Sequence, residues 1–145
     1  MKAVIQRVKN TALTVDGRLI SSIEGGLCVF LGVGVGDSTA NADKLAYKIA
    51  RLRIFEDDNG KMNLSVKDVG KEVLMVSQFT LYGDCTHGNR PSFTGAELPE
   101  RANELYEYCV KKLSEEGITV KKGVFGADMK INQLNDGPVT IIMEI

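Results

Sequence analysis

The chain has 145 residues, a formal net charge of −1 and a single histidine. That length suits one domain, residues 1–145, which buries about 68–70% of its unfolded surface and needs no staples. The near-zero charge excludes strong sequence-independent nucleic-acid binding, such as a broad face for duplex DNA. It leaves room for a protein that grips only the end of an RNA.

Residues 3–8 and 11–15 predict strands, and Asp16-Gly17 marks a tight hairpin into a strand over 18–23. The continuous apolar run 26–35 predicts a central buried strand. Asp37 or Ser38 caps a helix over 39–51, where Leu45, Ile49 and Leu52 keep helical spacing. A short strand at 53–55 precedes the turn Asp57-Asp58-Asn59-Gly60. Residues 71–81 predict a strong strand, and 83–95 a long polar loop of the kind that often carries function. Pro99 opens a second helix with the stripe Ala102, Leu105, Tyr106, Cys109, Val110 and Leu113, and Gly117 ends it. Strands at 118–122, 127–134 and 139–145 close the chain, with Asn135-Asp136-Gly137-Pro138 turning between the last two. The class is α+β: a single domain with a mostly antiparallel, curved, β-barrel-like core and two main flanking α-helices.

The cysteines Cys28, Cys85 and Cys109 are odd in number and widely spaced, and no CxxC occurs. This predicts a reduced, cytoplasmic protein, with Cys28 a buried hydrophobe. The N-terminal segment is too short of apolar residues for a signal peptide, and no apolar run approaches the ~20 residues of a membrane span. No membrane partner is expected.

One histidine, His87, leaves no multi-histidine metal site, and no cofactor motif is present. The segment Gly32-Val33-Gly34-Val35-Gly36 does not continue as a dinucleotide or phosphate loop and reads as a strand end and turn. Asp57, Asp58 and Asn59 lack the spacing and the bidentate Glu of a calcium loop. Cys85 and His87 would share a face of an extended segment, which suggests a thiol hydrolase; two polar loop residues is the simpler reading. The doublets Lys111-Lys112 and Lys121-Lys122 are candidates for contact with an RNA backbone, or plain solvated surface.

Two stretches remain. Ser77-Gln78-Phe79-Thr80 ends an apolar strand on polar side chains, with Ser77 and Phe79 on one side and Gln78 and Thr80 on the other. Gly137-Pro138 places an X-Pro bond, behind the most permissive residue, just before the last strand. By composition alone the first is ordinary sheet-edge bonding. Together they describe a polar strand end and a stiff backbone tip, the parts of a small stereoselective pocket.

Val76-Ser77-Gln78-Phe79-Thr80-Leu81 and Asn135-Asp136-Gly137-Pro138-Val139-Thr140 resemble the two signature motifs of the D-aminoacyl-tRNA deacylase family. Gln6-Arg7-Val8, Gly32-Val33, Leu52-Arg53-Ile54-Phe55, Gly60-Lys61-Met62-Asn63, Gly88-Asn89-Arg90-Pro91-Ser92-Phe93 and Phe125-Gly126-Ala127-Asp128-Met129 are similar to family segments in the same order. The resemblance implies a cytoplasmic homodimer that needs no cofactor. It would hydrolyse D-aminoacyl esters, and glycyl esters, at the 3′ end of tRNA. It implies a catalytic segment Ser77, Gln78, Phe79 and Thr80, and a tip, Gly137 and Pro138, inserted into the partner's pocket at the subunit interface. Arg7 is the candidate brace for that tip, and Phe125 and Met129 the candidate pocket residues. The sequence departs from the family at His87, where a basic residue is common, and at Gln133 and Leu134, where smaller or β-branched residues are usual. The competing reading is a non-catalytic dimeric module that binds RNA ends or amino-acid derivatives in the same pocket.

Overall fold

A computed structural model describes residues 1–145. The first strand, β1 (Lys2–Val15), is one continuous element rather than the two expected at 3–8 and 11–15. Its alternating burial breaks at Lys9 and Asn10 because β1 changes partner there. On one side Lys2–Val8 pairs with β3 (Gly26–Gly32), and Thr11–Val15 pairs with β2 (Arg18–Ile23). The β1–β2 turn has positive φ at both Asp16 (50°) and Gly17 (75°), the geometry that matches strand twist in two-residue hairpins.

Strand β3 is buried almost throughout and lies between β1, antiparallel, and β6 (Glu72–Ser77), parallel. It ends at Gly32, three residues short of the apolar run. Helix α1 (Thr39–Ala50) starts from Ser38, whose N–H (2.9 Å) and hydroxyl (2.8 Å) both donate to Asn41 Oδ1. A small hairpin follows, β4 (Arg53–Glu56) and β5 (Met62–Ser65). Strand β5 has no signature in the sequence: four residues with one buried side chain carry no readable period. Its turn is shaped by the Asp57 carboxylate, which accepts from the N–H groups of Asn59 (2.9 Å) and Lys61 (3.1 Å).

The strand predicted over 71–81 stops at Ser77, and Phe79–Tyr82 form one turn of 3-10 helix. Gln78 N–H still donates to Leu31 O (2.8 Å), but β3 ends one residue later and offers no further ladder. The backbone therefore bonds to itself, Leu81 N–H to Gln78 O and Gly83 N–H to Thr80 O. Helix α2 (Pro99–Glu115) has proline in its first turn and buries Ala102, Leu105, Tyr106, Cys109 and Leu113, while Val110 is half-buried. Strands β7 (Val120–Lys122) and β8 (Met129–Glu144) complete the chain.

The sheet order is β2-β1-β3-β6-β7, with β8 on the other side of β1. The β1–β2, β1–β3, β1–β8 and β4–β5 pairs are antiparallel, and β3–β6 and β6–β7 are parallel. Parallel neighbours need long crossovers, which α1 with the small hairpin, and then α2, supply. Both helices cover one sheet face, burying Ala3, Ile5, Leu27, Val29, Leu31, Val73 and Met75. The alternate residues Val8, Leu13, Cys28, Leu74 and Val76 form a smaller core on the opposite face. Lys121 Nζ donates to Ser22 O (2.6 Å) and Ser21 Oγ to Lys122 O (2.6 Å), joining the outer strands β2 and β7. The sheet is thereby nearly closed into a barrel.

The predicted turn at 135–138 is a bulge within the single strand β8. Along β8 the β1 partners run from Thr140, opposite Gln6, to Asn135, opposite Val8. Five steps on β8 answer two on β1, so the backbone around Gly137-Pro138, a cis bond, projects from the sheet.

Candidate active site

A cavity of about 320 Å³ opens at the C-terminal ends of the parallel strands β3 and β6. Crevices there are natural binding sites, because the ladder ends and loops diverge around them. Ser77, Gln78 and Phe79 form one wall, and Phe125 and Met129 line the cavity with them. The sequence motif and two distant candidates thus meet around one space. Thr80 sits beside it, its Oγ1 held in a short hydrogen bond by the Gln78 side-chain amide. Strand alternation does not apply across these residues, since the chain leaves the sheet at Gln78. Gln78 and Thr80 face each other because of the turn.

Phe79 is 57% exposed at the mouth and meets Phe93 edge-to-face, with ring centroids 5.0 Å apart. Phe93 belongs to the long loop, which is closed by paired backbone bonds between Asp84 and Ser92 (2.8 and 2.9 Å). Tyr106 and Asp128 also line the cavity. Tyr106 is visible in the sequence only as part of the α2 stripe; its hydroxyl donates to Met75 O (2.9 Å) and fixes the helix over the sheet. Asp128 holds Lys130 at 2.8 and 2.9 Å at the rim.

Arg7, Gly137 and Pro138 line no part of this cavity. They form a second cluster at the β8 bulge. Arg7 is only 6% exposed. Its Nη1 donates to Ile54 O (2.6 Å), and its Nε donates to Asp136 O (3.2 Å) and lies 3.2 Å from Asp136 Oδ2. One planar guanidinium thereby ties the base of the tip to β4, a fork that lysine does not reproduce.

Each lysine of the basic doublets has a carboxylate neighbour. Lys111 and Lys112 pair with Glu115, Lys121 with Glu72 and Lys122 with Glu107. Cys85 and His87 lie exposed in the loop and line no part of the cavity. Burial pushes the Cys28 and Cys109 thiols up to about 12. Both are therefore protonated at neutral pH and unreactive. Iodoacetamide at pH 8 is expected to label one cysteine per native chain, Cys85, without loss of activity. Mass spectrometry and an assay on the labelled protein check this, and inactivation would move the chemistry to the thiol.

Fold and cavity define a small α+β domain, nearly closed into a barrel, with an apolar pocket walled on one side by a polar strand end and a backbone turn. The family model described as D-Tyr-tRNA(Tyr) deacylase matches residues 4–144. A D-aminoacyl-tRNA deacylase of Geotalea daltonii is 59% identical over 144 residues, covering 99% of this chain and 96% of that protein. A solved structure called c-Myc DNA Unwinding Element Binding Protein superposes with TM-score 0.94 at 42% identity, covering 100% of this chain and 99% of that one. A probable eukaryotic D-amino acid tRNA deacylase shares the fold at TM-score 0.86 and 14% identity, over 99% and 98% of the two chains. The chain belongs to the D-Tyr-tRNA(Tyr) deacylase family and is a hydrolase.

Proposed function

We propose that this protein hydrolyses the ester of D-aminoacyl-tRNA, and of glycine on tRNA, releasing the amino acid and intact tRNA in the cytoplasm. Water adds to the ester carbonyl, and the C–O bond to the terminal ribose breaks as the leaving oxygen takes a proton. The N–H groups of Phe79 and Thr80 open the 3-10 turn, where the first donors have no partner within the turn. In this reading they donate to the oxyanion, at about 3–4 kcal/mol per donor. The free 2′-hydroxyl of the terminal adenosine orients the water. The ester is an activated one, so no histidine or thiolate is required. Thr80 Oγ1, occupied by Gln78, positions rather than attacks.

The observation that carries the reading is the cavity itself, which gathers Ser77, Gln78, Phe79, Phe125 and Met129 around one turn. Chiral selection falls to Gly137 and Pro138 of a second subunit. Carbonyls of that tip accept from the substrate ammonium and occupy the space of an L side chain; a D side chain points elsewhere and glycine has none. Rejecting L esters ~10⁴-fold needs about 5.5 kcal/mol, so the tip has to be stiff. Arg7 and the flanking strand pairing supply that stiffness. Homodimerisation is supported by the unpaired outer edge of β8 and by exposed Leu134 (54%) and Ile142 (73%) on that strand.

A second reading is a non-catalytic dimer that binds RNA ends or amino-acid derivatives in the same pocket. The 42%-identical solved structure carries the name of a DNA-binding protein, which is the ground for weighing a nucleic-acid-binding role. The net charge of −1 and the paired lysines weigh against a duplex-DNA face. Matched D- and L-tyrosyl-tRNA, incubated with substoichiometric protein, separate the readings. Release from the D ester with the L ester intact is expected. Release from neither, with binding retained, establishes the second reading, and equal release from both removes the chiral filter.

A further inference from the structure

The glycines of Gly32-Val33-Gly34 have no role in the site so far, and their backbone does not explain them. Neither Gly32 nor Gly34 has a positive φ, so any L residue could adopt their conformation. What excludes a side chain is Tyr82. A Cβ at Gly34 would lie 2.5 Å from both Cζ and the hydroxyl of Tyr82. One at Gly32 would lie 3.2 Å from the ring and 2.9 Å from Gln78 O. The Tyr82 ring thus packs against Gly32 at the end of β3 and Gly34 just beyond it, with Gly95 near its other edge and Lys2 Nζ 5.1 Å from its centroid. Its hydroxyl approaches Asp37 Oδ2 (3.4 Å), the oxygen that accepts from Gly34 N–H (2.7 Å).

Tyr82 is the last residue of the turn that starts at Phe79. The front of that turn is pinned by Gln78 N–H on Leu31 O, from the same strand β3. We infer that Tyr82, seated on Gly32 and Gly34, is a positioning residue for the hydrolytic reaction: it sets the depth at which the Phe79 and Thr80 N–H groups face the cavity. The inference rests on the deacylase reading above and adds a residue to it. A turn of four residues held at one end alone would pivot on Gln78. A ring packed against Gly32 and Gly34, with its hydroxyl 3.4 Å from Asp37 Oδ2, removes that freedom.

A methyl group at Gly34 must displace the ring by about 1 Å to reach ordinary contact, and a misplacement of that size costs roughly a hundred-fold in rate. Gly34→Ala and Tyr82→Ala are each expected to lower kcat for D-tyrosyl-tRNA about a hundred-fold, with KM changed less than about threefold. The two act through one contact, so the double variant should be no slower than Tyr82→Ala alone. Tyr82→Phe keeps the ring and should retain kcat within about threefold. In parallel, the Phe79 and Thr80 amide resonances are expected to move in Gly34→Ala and Tyr82→Ala and to stay in Tyr82→Phe. This readout needs no substrate. It stands even if the wild-type protein releases no amino acid, a result that would sink the functional reading alone. Should Gly34→Ala not fold, Tyr82→Leu against Tyr82→Phe gives the same contrast. Unmoved amides with full kcat in the ring-less variants, or losses that multiply in the double variant, overturn the inference.

Discussion

Replacing Arg7 with methionine is expected to destabilise the protein by about 3 kcal/mol and to lower its preference for D over L esters at least tenfold. The substitution keeps most of the apolar stem and removes every donor. Ile54 O then loses a buried 2.6 Å bond, and Asp136 O loses its 3.2 Å bond. Each carbonyl left unpaired costs about 1–3 kcal/mol, the smaller figure applying where water reaches it. Asp136 keeps a distant cation, Lys9 at 3.9 Å, but that lysine is 65% exposed and holds little. With an m-value of about 1–3 kcal/mol per molar, the urea midpoint should fall by about 1–3 M at fixed protein concentration. An unchanged midpoint would show the guanidinium to be dispensable. A lowered midpoint with D/L selectivity intact would separate the brace from the filter.

Replacing Gly137 with valine is expected to lower D-tyrosyl-tRNA turnover at least a hundred-fold while tRNA binding changes less than about threefold. Gly137 has φ 127°, a conformation essentially reserved for glycine, and an L side chain there costs of order 1–3 kcal/mol. The added Cβ would also lie 2.8 Å from Val139 Cγ2, 3.1 Å from Val139 N and 3.2 Å from Arg7 Nη2. The tip therefore has to move, and it moves against its own brace. Single-turnover release, compared with filter binding of uncharged tRNA, separates the two effects. Unchanged D-ester kinetics would take the tip out of the site.

Much of the local structure was legible in the residues. Ser38 before α1, Pro99 and Gly117 around α2, and Asp16-Gly17 in the hairpin each set their element ends through short-range backbone chemistry. The continuous apolar run 26–35 marked β3 as central, and burial of Leu27, Val29 and Leu31 on one face and Cys28 on the other bears that out. The two motifs at 77–81 and 135–140 were conspicuous because each puts polar or turn residues where an apolar strand should continue.

What failed to show were features set by a distant partner. The strand at 71–81 breaks at Ser77 because β3 ends, a fact about residues 46 positions away that no window over β6 contains. Lys121 and Lys122 look free in the sequence and are paired across elements in the fold, with Glu72 and Glu107. Gly32 and Gly34 read as a strand end and turn, which the fold shows, but the sequence does not reveal that they make room for the Tyr82 ring. By itself the sequence determined the α+β class, the helix ends, the two motifs and the family. Tertiary structure alone decided that Phe125 and Met129 join Ser77 around one cavity, and that Arg7 reaches Asp136 across 129 residues. The reason is physical: periodicity and turn chemistry act over a few residues, whereas a pocket and a buried guanidinium's partners exist only after long-range strand pairing has closed the sheet.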